Sequence, residues 1–311
     1  MNIASLLSAL PGAVSQGLIW GIMAIGVYIT FKILDVADLT VDGTLCTGAA
    51  VCVVLIIAGC PMWLALLLSL IAGMLAGLVT GIFHTFFGIP AILAGILTQF
   101  ALWSVNLRIL SSPNQAISAD RFDLLTSLRF LTNPEIPFYK NPLFVIPLFL
   151  IALIALLYWF FGTEVGCSLR ATGANPNMAR AQGINTSFTT VLGLMVSNGL
   201  VGLSGALLAQ YQGFADINMG RGAIVIGLAA VVIGEVLFSK IFHNFALKLL
   251  SVALGAVIYY VVIQFILWTR IIDSNDLKLL SALVVALFLA LPYWKGKYFS
   301  KSSKKGAKKN A

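Results

Sequence analysis

The chain has 311 residues, of which 60% are hydrophobic and only 10% charged, against about a quarter charged in soluble domains. Its formal charge of +8 does not indicate a nucleic-acid partner. Seven of the nineteen basic residues are lysines between Lys295 and Ala311, leaving twelve basic against eleven acidic residues elsewhere, too even a balance for a phosphate-binding groove. Apolar runs of about 18 or more residues, enough to cross a hydrocarbon core of about 30 Å, recur along the sequence and predict an all-α polytopic integral membrane protein.

In chain order the predicted crossings are 13–33, 45–59, 62–87, 89–109, 142–161, 187–211, 223–238, 244–268 and 277–291. These make about nine transmembrane or broken helices in one permease-sized domain, 1–294, followed by a basic tail, 295–311. The opening MNIASLLSALPGAVSQG has no basic stretch before its apolar run, so the first helix itself is expected to direct insertion. The lysine-rich tail predicts a cytoplasmic C-terminus and a solvated anchor that touches anionic lipid. Counting back places the N-terminus outside, 112–141 outside and 162–186 inside. The charges agree: the inner segment carries Arg170 and Arg180 against Glu164, whereas the outer loop balances Asp120, Asp123 and Glu135 with Arg121, Arg129 and Lys140. That outer loop reads either as a landing surface for a soluble partner or as a plain connector.

Gly73, Gly77 and Gly81 recur every four residues and predict close approach of a second helix backbone. Cys46, Cys52, Cys60 and Cys167 are not spaced as a disulfide framework or a metal site. A short internal repeat is more informative: DLTVDGTLCTGAAV from Asp38 and DINMGRGAIVIGLAAV from Asp216 each place an acid and a glycine-bearing turn before an apolar helix. Matched polar turns in two halves of a carrier mark broken helices around a pathway. On that reading Asp38, Thr40, Asp42 and Gly43, with Asp216, Asn218 and Arg221, line or gate a polar route. On the other, they cap the next helix from interfacial loops.

Enzyme chemistry has little to work with. His84 and His243 are the only histidines, no metal-ligand spacing or nucleophile motif occurs, and no metal or cofactor is expected on this chain. A phosphate-binding loop is also absent, so if ATP drives the process, ATP and Mg belong to a separate ATPase polypeptide. The spans are poor in ionisable groups, which weakens a proton relay, and Glu235 is expected to pair with nearby Lys240.

The stretch LRATGANPNMARAQGIN, Leu169 to Asn185, interrupts this apolar chain with two arginines and no acid. Asn175 suits an N-cap, Pro176 the first helical position and Gly183 a left-handed terminator, which predicts about two helical turns. Met178, Ala179, Arg180 and Gln182 would form a small apolar patch rimmed by donors; the bland alternative is an inner loop with an incidental turn.

This stretch, followed by VLGLMVSNGLVGLSGALLAQYQG and IGLAAVVIGEVLF, resembles the permease subunits of bacterial ABC importers of the branched-chain amino acid and ribose family. DLTVDGT at 38–44 is similar to that family's early signature. Glu235 and Val236 stand where two glycines are usual. The resemblance implies an inner-membrane permease that pairs with a second copy, binds two ATPases inside and receives cargo from an extracellular binding protein. It further implies that Ala174, Asn175, Pro176, Met178, Ala179, Arg180, Gln182, Gly183 and Ile184 belong to the ATPase-coupling segment. The subgroup most similar in detail accompanies tryptophan- or tyrosine-type binding lipoproteins, which implies an aromatic amino acid as cargo. The rival expectation is a stand-alone secondary carrier of small polar solutes using the two Asp-bearing turns.

Overall fold

The computed structural model describes residues 3–118, 121–122, 124–132, 140–239, 241–269 and 277–294. The lysine tail, Lys240 and the loop acids Asp120, Asp123 and Glu135 lie outside them. The described chain is helical apart from one pair of three-residue strands. Its helices are α1 (Ile3–Tyr28, continued by a π-helical turn, Ile29–Ile33), α2 (Val41–Ile57), α3 (Met62–Thr85), α4 (Ala91–Leu110), α5 (Arg129–Thr132), α6 (Pro142–Gly162), α7 (Glu164–Ala174), α8 (Pro176–Ala181), α9 (Thr186–Gln212), α10 (Ala223–Phe238), α11 (Phe245–Trp268) and α12 (Leu277–Trp294). Among the described residues six are long and apolar enough to cross a membrane: α1 with its π turn, α3, α4, α6, α9 and α11. The helices α2 and α10 are apolar but shorter.

The antiparallel strands β1 (Asn114–Ala116) and β2 (Phe214–Asp216) mark one end of the bundle, and α7 and α8 the other. At the strand end three backbone groups close over the end of α9: Ile117 N–H donates to Gly213 O, Leu128 N–H to Tyr211 O, and Leu125 N–H to Gln210 Oε1 at 2.9 Å.

Contact registers give the direction of each helix. Gly73, Gly77 and Gly81 of α3 meet Asn198, Leu194 and Val191 of α9, which makes that pair antiparallel. Gly17 and Gly21 of α1 meet Val257 and Ala253 of α11 in the same sense. In turn α2 runs parallel to α9, with Thr44 at Asn198 and Cys52 at Gln210, and α10 runs parallel to α1, with Gly227 at Val27 and Glu235 at Lys32. The set α1–α3 is therefore repeated, upside down, by α9–α11; α4 packs on α2 as α12 packs on α10, and α6 touches α1 and α11. This is an inverted repeat, the arrangement that puts discontinuous helices at mid-depth.

The two leading helices of the halves form the centre. Ser197, Ser204 and Tyr211, seven residues apart on α9, donate their hydroxyls to Gly26 O, Ile19 O and Gly12 O of α1 at 2.7, 2.8 and 3.2 Å. Seven residues are almost two helical turns, so one face of α9 stays on α1 along its length. Small residues elsewhere let backbones touch. A Cβ at Gly48, Gly205 or Gly220 would fall inside the backbone of Gly202, Leu45 or Asp42 respectively. Such contacts hold helices by dispersion where lipid supplies no hydrophobic drive.

Candidate functional site: a buried polar joint and a capped segment

The polar residues of the first turn are drawn to the middle of α9. After the π turn, in which Leu34 N–H reaches Ile29 O and Val36 N–H reaches Thr30 O, Asp35 adopts a left-handed conformation, φ 56°, and the chain turns back into the bundle. An aspartate tolerates that region better than a branched residue would. Asp38 then lies 3% exposed, with Oδ1 accepting from Thr40 N–H at 2.9 Å and Oδ2 from Asn198 Nδ2 at 2.6 Å. Asn198 is the thirteenth of the 27 residues of α9, so this contact is at mid-helix. Its Oδ1 accepts from Thr44 Oγ1 at 2.8 Å. Thr40 Oγ1 and Thr80 Oγ1 are 2.7 Å apart, and Thr80 Oγ1 reaches Thr98 Oγ1 at 3.0 Å. Four helices and one reversal are thus joined by a polar chain with its hydrogen-bonding groups paired, the condition under which buried polar groups are tolerated.

The second turn repeats the first locally and then meets it. Asp216 Oδ1 accepts from Asn218 N–H at 2.7 Å, the same two-residue turn that Asp38 makes with Thr40. Asp42, in the first turn of α2, caps α10: its Oδ2 accepts from Gly222 N–H at 2.9 Å and its Oδ1 from Ile224 N–H at 3.0 Å. Cys46 Sγ donates to Asp216 O at 3.5 Å. The two repeats, about 180 residues apart by their numbering, therefore form one junction.

Of the seven residues expected along a polar route, Asp42, Gly43 and Arg221 line one cleft between α2, α4 and the turn before α10. Asp38 and Thr40 are sealed in the joint instead, and Asp216 and Asn218 form the second turn. Sequence reasoning passed over Asn198, Thr80, Thr98 and Asn106. Their signal was a polar side chain inside an apolar run, which in lipid needs a partner.

In the 162–186 segment, side chains cap three successive helices. Thr163 Oγ1 accepts from Gly166 N–H, Asn175 Oδ1 from Met178 N–H and Asn185 Oδ1 from Phe188 N–H, at 3.3, 3.1 and 3.1 Å. Pro176 opens α8, and Gly183, φ 83°, closes it while Ile184 N–H reaches back to Ala179 O. Ala174, Met178, Arg180 and Gln182 are exposed, but Ala179 turns inward and is buried, so it is not part of the outward patch. The Arg180 Nε donates to Thr186 Oγ1 at 2.8 Å, which fixes α8 to the start of α9. The preceding helix, α7, lay in the interval expected as loop. It packs Gly173 on the backbone of Ile33, bonds Thr172 to Thr189 at 2.8 Å, and with Leu34 covers Gly193. The ion pair expected between Glu235 and Lys240 also differs: Glu235 pairs with Lys32 across the bundle at 3.2 Å.

An all-α bundle of two inverted halves, whose interrupted helices meet at a sealed polar joint, defines a polytopic membrane transport protein. Residues 10–292 match the model of the branched-chain amino acid transport system / permease component family, and the chain belongs to that family. It is 39% identical over 284 residues to a tyrosine transport system permease protein of Clostridioides difficile (strain R20291), covering 91% of each chain. It is 37% identical over 280 residues to the uncharacterized protein RP368 of Rickettsia prowazekii (strain Madrid E), covering 90% of this chain and 95% of that one. Its fold is similar to that of PsaBC from Streptococcus pneumoniae in complex with Fab, with a TM-score of 0.55, 17% identity, and 97% and 100% of the two chains covered.

Proposed function

We propose that this chain is the membrane subunit of an ATP-driven importer of aromatic amino acids in a bacterial cytoplasmic membrane. Two copies work with two ATPases that bear ATP and Mg, and cargo arrives from a binding protein outside. The α7–α8 end is then cytoplasmic, as is the lysine tail, and the strand end faces the binding protein. The tyrosine permease relative supports the cargo class.

The observation that carries this reading is a continuous contact path from α8 to the joint. Arg180 ties α8 to α9, α7 lies on the π turn of α1 through Gly173 and Ile33, and that turn leads through Asp35 to Asp38. A push on α8 by a closing ATPase reaches the end of α1 through packed backbone, with no flexible linker between. Helix turns with π geometry recur at functional sites because one residue too many in the turn lets the helix shift register locally. Movement there shifts Asp38 against Asn198, and the sealed joint becomes the element whose two arrangements expose the route to one side or the other. Bond chemistry stays with the ATPase.

The second copy is assigned to the α4 face. Among the six long apolar helices α4 has the lowest mean hydropathy, 1.4, and the smallest buried share, 22%. By contrast α6 is almost as uncovered, 28%, but has a mean hydropathy of 2.7 and suits lipid. A helix both open and relatively polar belongs against protein or water.

Reconstitution in proteoliposomes with the ATPase and binding protein tests the proposal. Arg180→Glu and Gly183→Pro are expected to abolish ATP-driven tyrosine uptake while ATP hydrolysis and membrane insertion persist. Unchanged uptake in both variants counts against the coupling role. Uptake driven by an ion gradient without any ATPase would make the chain a secondary carrier instead.

A further inference from the structure

The cleft beside the joint has the chemistry of a solute site. It measures about 500 Å³ and is lined by Asp42 and Gly43 of α2, Phe100, Trp103 and Asn106 of α4, and Arg221. Two of these residues have polar atoms left unmatched. Asn106 is 1% exposed and donates from Nδ2 to Gly43 O at 3.3 Å, yet its buried Oδ1 accepts no hydrogen bond among the described residues. Arg221 is exposed and has no ion pair or hydrogen-bonded side-chain partner among them. It sits between Gly220, packed on the Asp42 backbone, and Gly222, which bonds the Asp42 carboxylate, hence within the bundle's depth. A guanidinium at that depth faces water or an anion, because hydrocarbon solvates it poorly. Asp42 forms no ion pair with it; its carboxylate is turned to the first N–H groups of α10. Phe100 and Trp103 are 72% and 44% exposed at the same opening, on the least apolar of the six long helices.

We infer that this cleft receives the cargo: an aromatic amino acid whose carboxylate pairs with Arg221, whose ring lies against Phe100 and Trp103, and whose ammonium or ring hydroxyl donates to Asn106 Oδ1. The inference rests on the importer reading and adds the residues that select within it. Arg221 supplies a charge-assisted bond that aliphatic and aromatic amino acids share; the two rings supply the preference for the aromatic ones.

The test uses the full transporter in proteoliposomes. A Ser104→Cys variant puts a thiol in the cleft, and Leu148→Cys on α6 puts one on the apolar face. A membrane-impermeant cationic methanethiosulfonate should label the first at least about tenfold faster, because only a hydrated thiol ionises. L-tyrosine should slow that labelling and tyramine, which lacks the carboxylate, should not. In this background Arg221→Gln should raise the tyrosine concentration needed for protection by roughly tenfold or more, Trp103→Ala should do the same for tyrosine but not for L-leucine, and Arg221→Lys should restore most of it. Equal labelling of the two cysteines, or protection indifferent to Arg221→Gln and Trp103→Ala, overturns the cleft. If the unmutated transporter hydrolyses ATP without moving any solute, the importer reading fails instead.

Discussion

Replacing Asn198 with alanine isolates the joint that holds the two halves together. The wild-type amide gives Asp38 Oδ2 a 2.6 Å hydrogen bond and takes one from Thr44 at 2.8 Å. Thr44 keeps a second acceptor, Thr40 O at 3.1 Å, so its loss is modest. Asp38 keeps the Thr40 N–H on its other oxygen. Hydrogen bonds to charged groups contribute about 1.5–3 kcal/mol, and a neutral one about 1 kcal/mol, so Asn198→Ala should cost about 3 kcal/mol. At a few degrees per kcal/mol, and fewer for a chain this long, the melting midpoint should fall on the order of 5 °C. The assay is scanning fluorimetry of purified protein in detergent at one fixed rate, because helical membrane proteins of this size unfold irreversibly. Adding Asp38→Ala removes the orphaned acid, so the double variant should lose clearly less than the sum of the single losses. An Asn198→Asp variant, with two acids in contact, should fall further than the alanine. A midpoint within about 1 °C of wild type for Asn198→Ala, or strict additivity in the cycle, would refute the claim that this contact holds the halves together.

Two further outcomes follow from packing and charge. At Gly202 an added Cβ would lie 2.8 Å from Ser69 O and 3.1 Å from Gly73 Cα, both backbone atoms of α3, whereas at Gly162 it would meet nothing within 4 Å. Gly202→Ala should therefore destabilise by about 1–3 kcal/mol and lower the yield of folded protein, while Gly162→Ala leaves the same fluorimetric midpoint unchanged or slightly raised. The Lys32–Glu235 pair is half in solvent, with side chains 51% and 38% exposed, so Lys32→Glu or Glu235→Lys should change stability by less than about 1 kcal/mol at moderate salt, and the exchanged pair should restore it.

The helices were legible because their cause is local. An apolar run long enough to cross hydrocarbon must satisfy its backbone internally, and the α-helix does so within one segment. The ends were legible for the same reason: Asn175, Pro176 and Gly183 act on neighbours three or four residues away, and α8 has the expected cap and terminator. Even the interruption of the two repeats showed, since Asp38 and Asp216 each fold onto the residue two positions on. In contrast α7 was missed because its polar surface, on Arg170 and Ser168, carries no long apolar run. Its buried Leu169 and Thr172 find their neighbours only on α1 and α9.

What composition and spacing determined, then, was a membrane-spanning helical chain, two broken places and a capped turn between crossings. Only the tertiary structure decided that Asp38 belongs to Asn198, that Asp42 caps α10, that Lys32 rather than Lys240 meets Glu235, and that Arg221 and Asn106 share an opening. The physical reason is that a helix period reports which face a residue occupies but nothing about what covers it. For a polar group inside a membrane the covering partner sets the whole energy, and for Asp38 and Asp42 that partner lies 160 to 182 residues away.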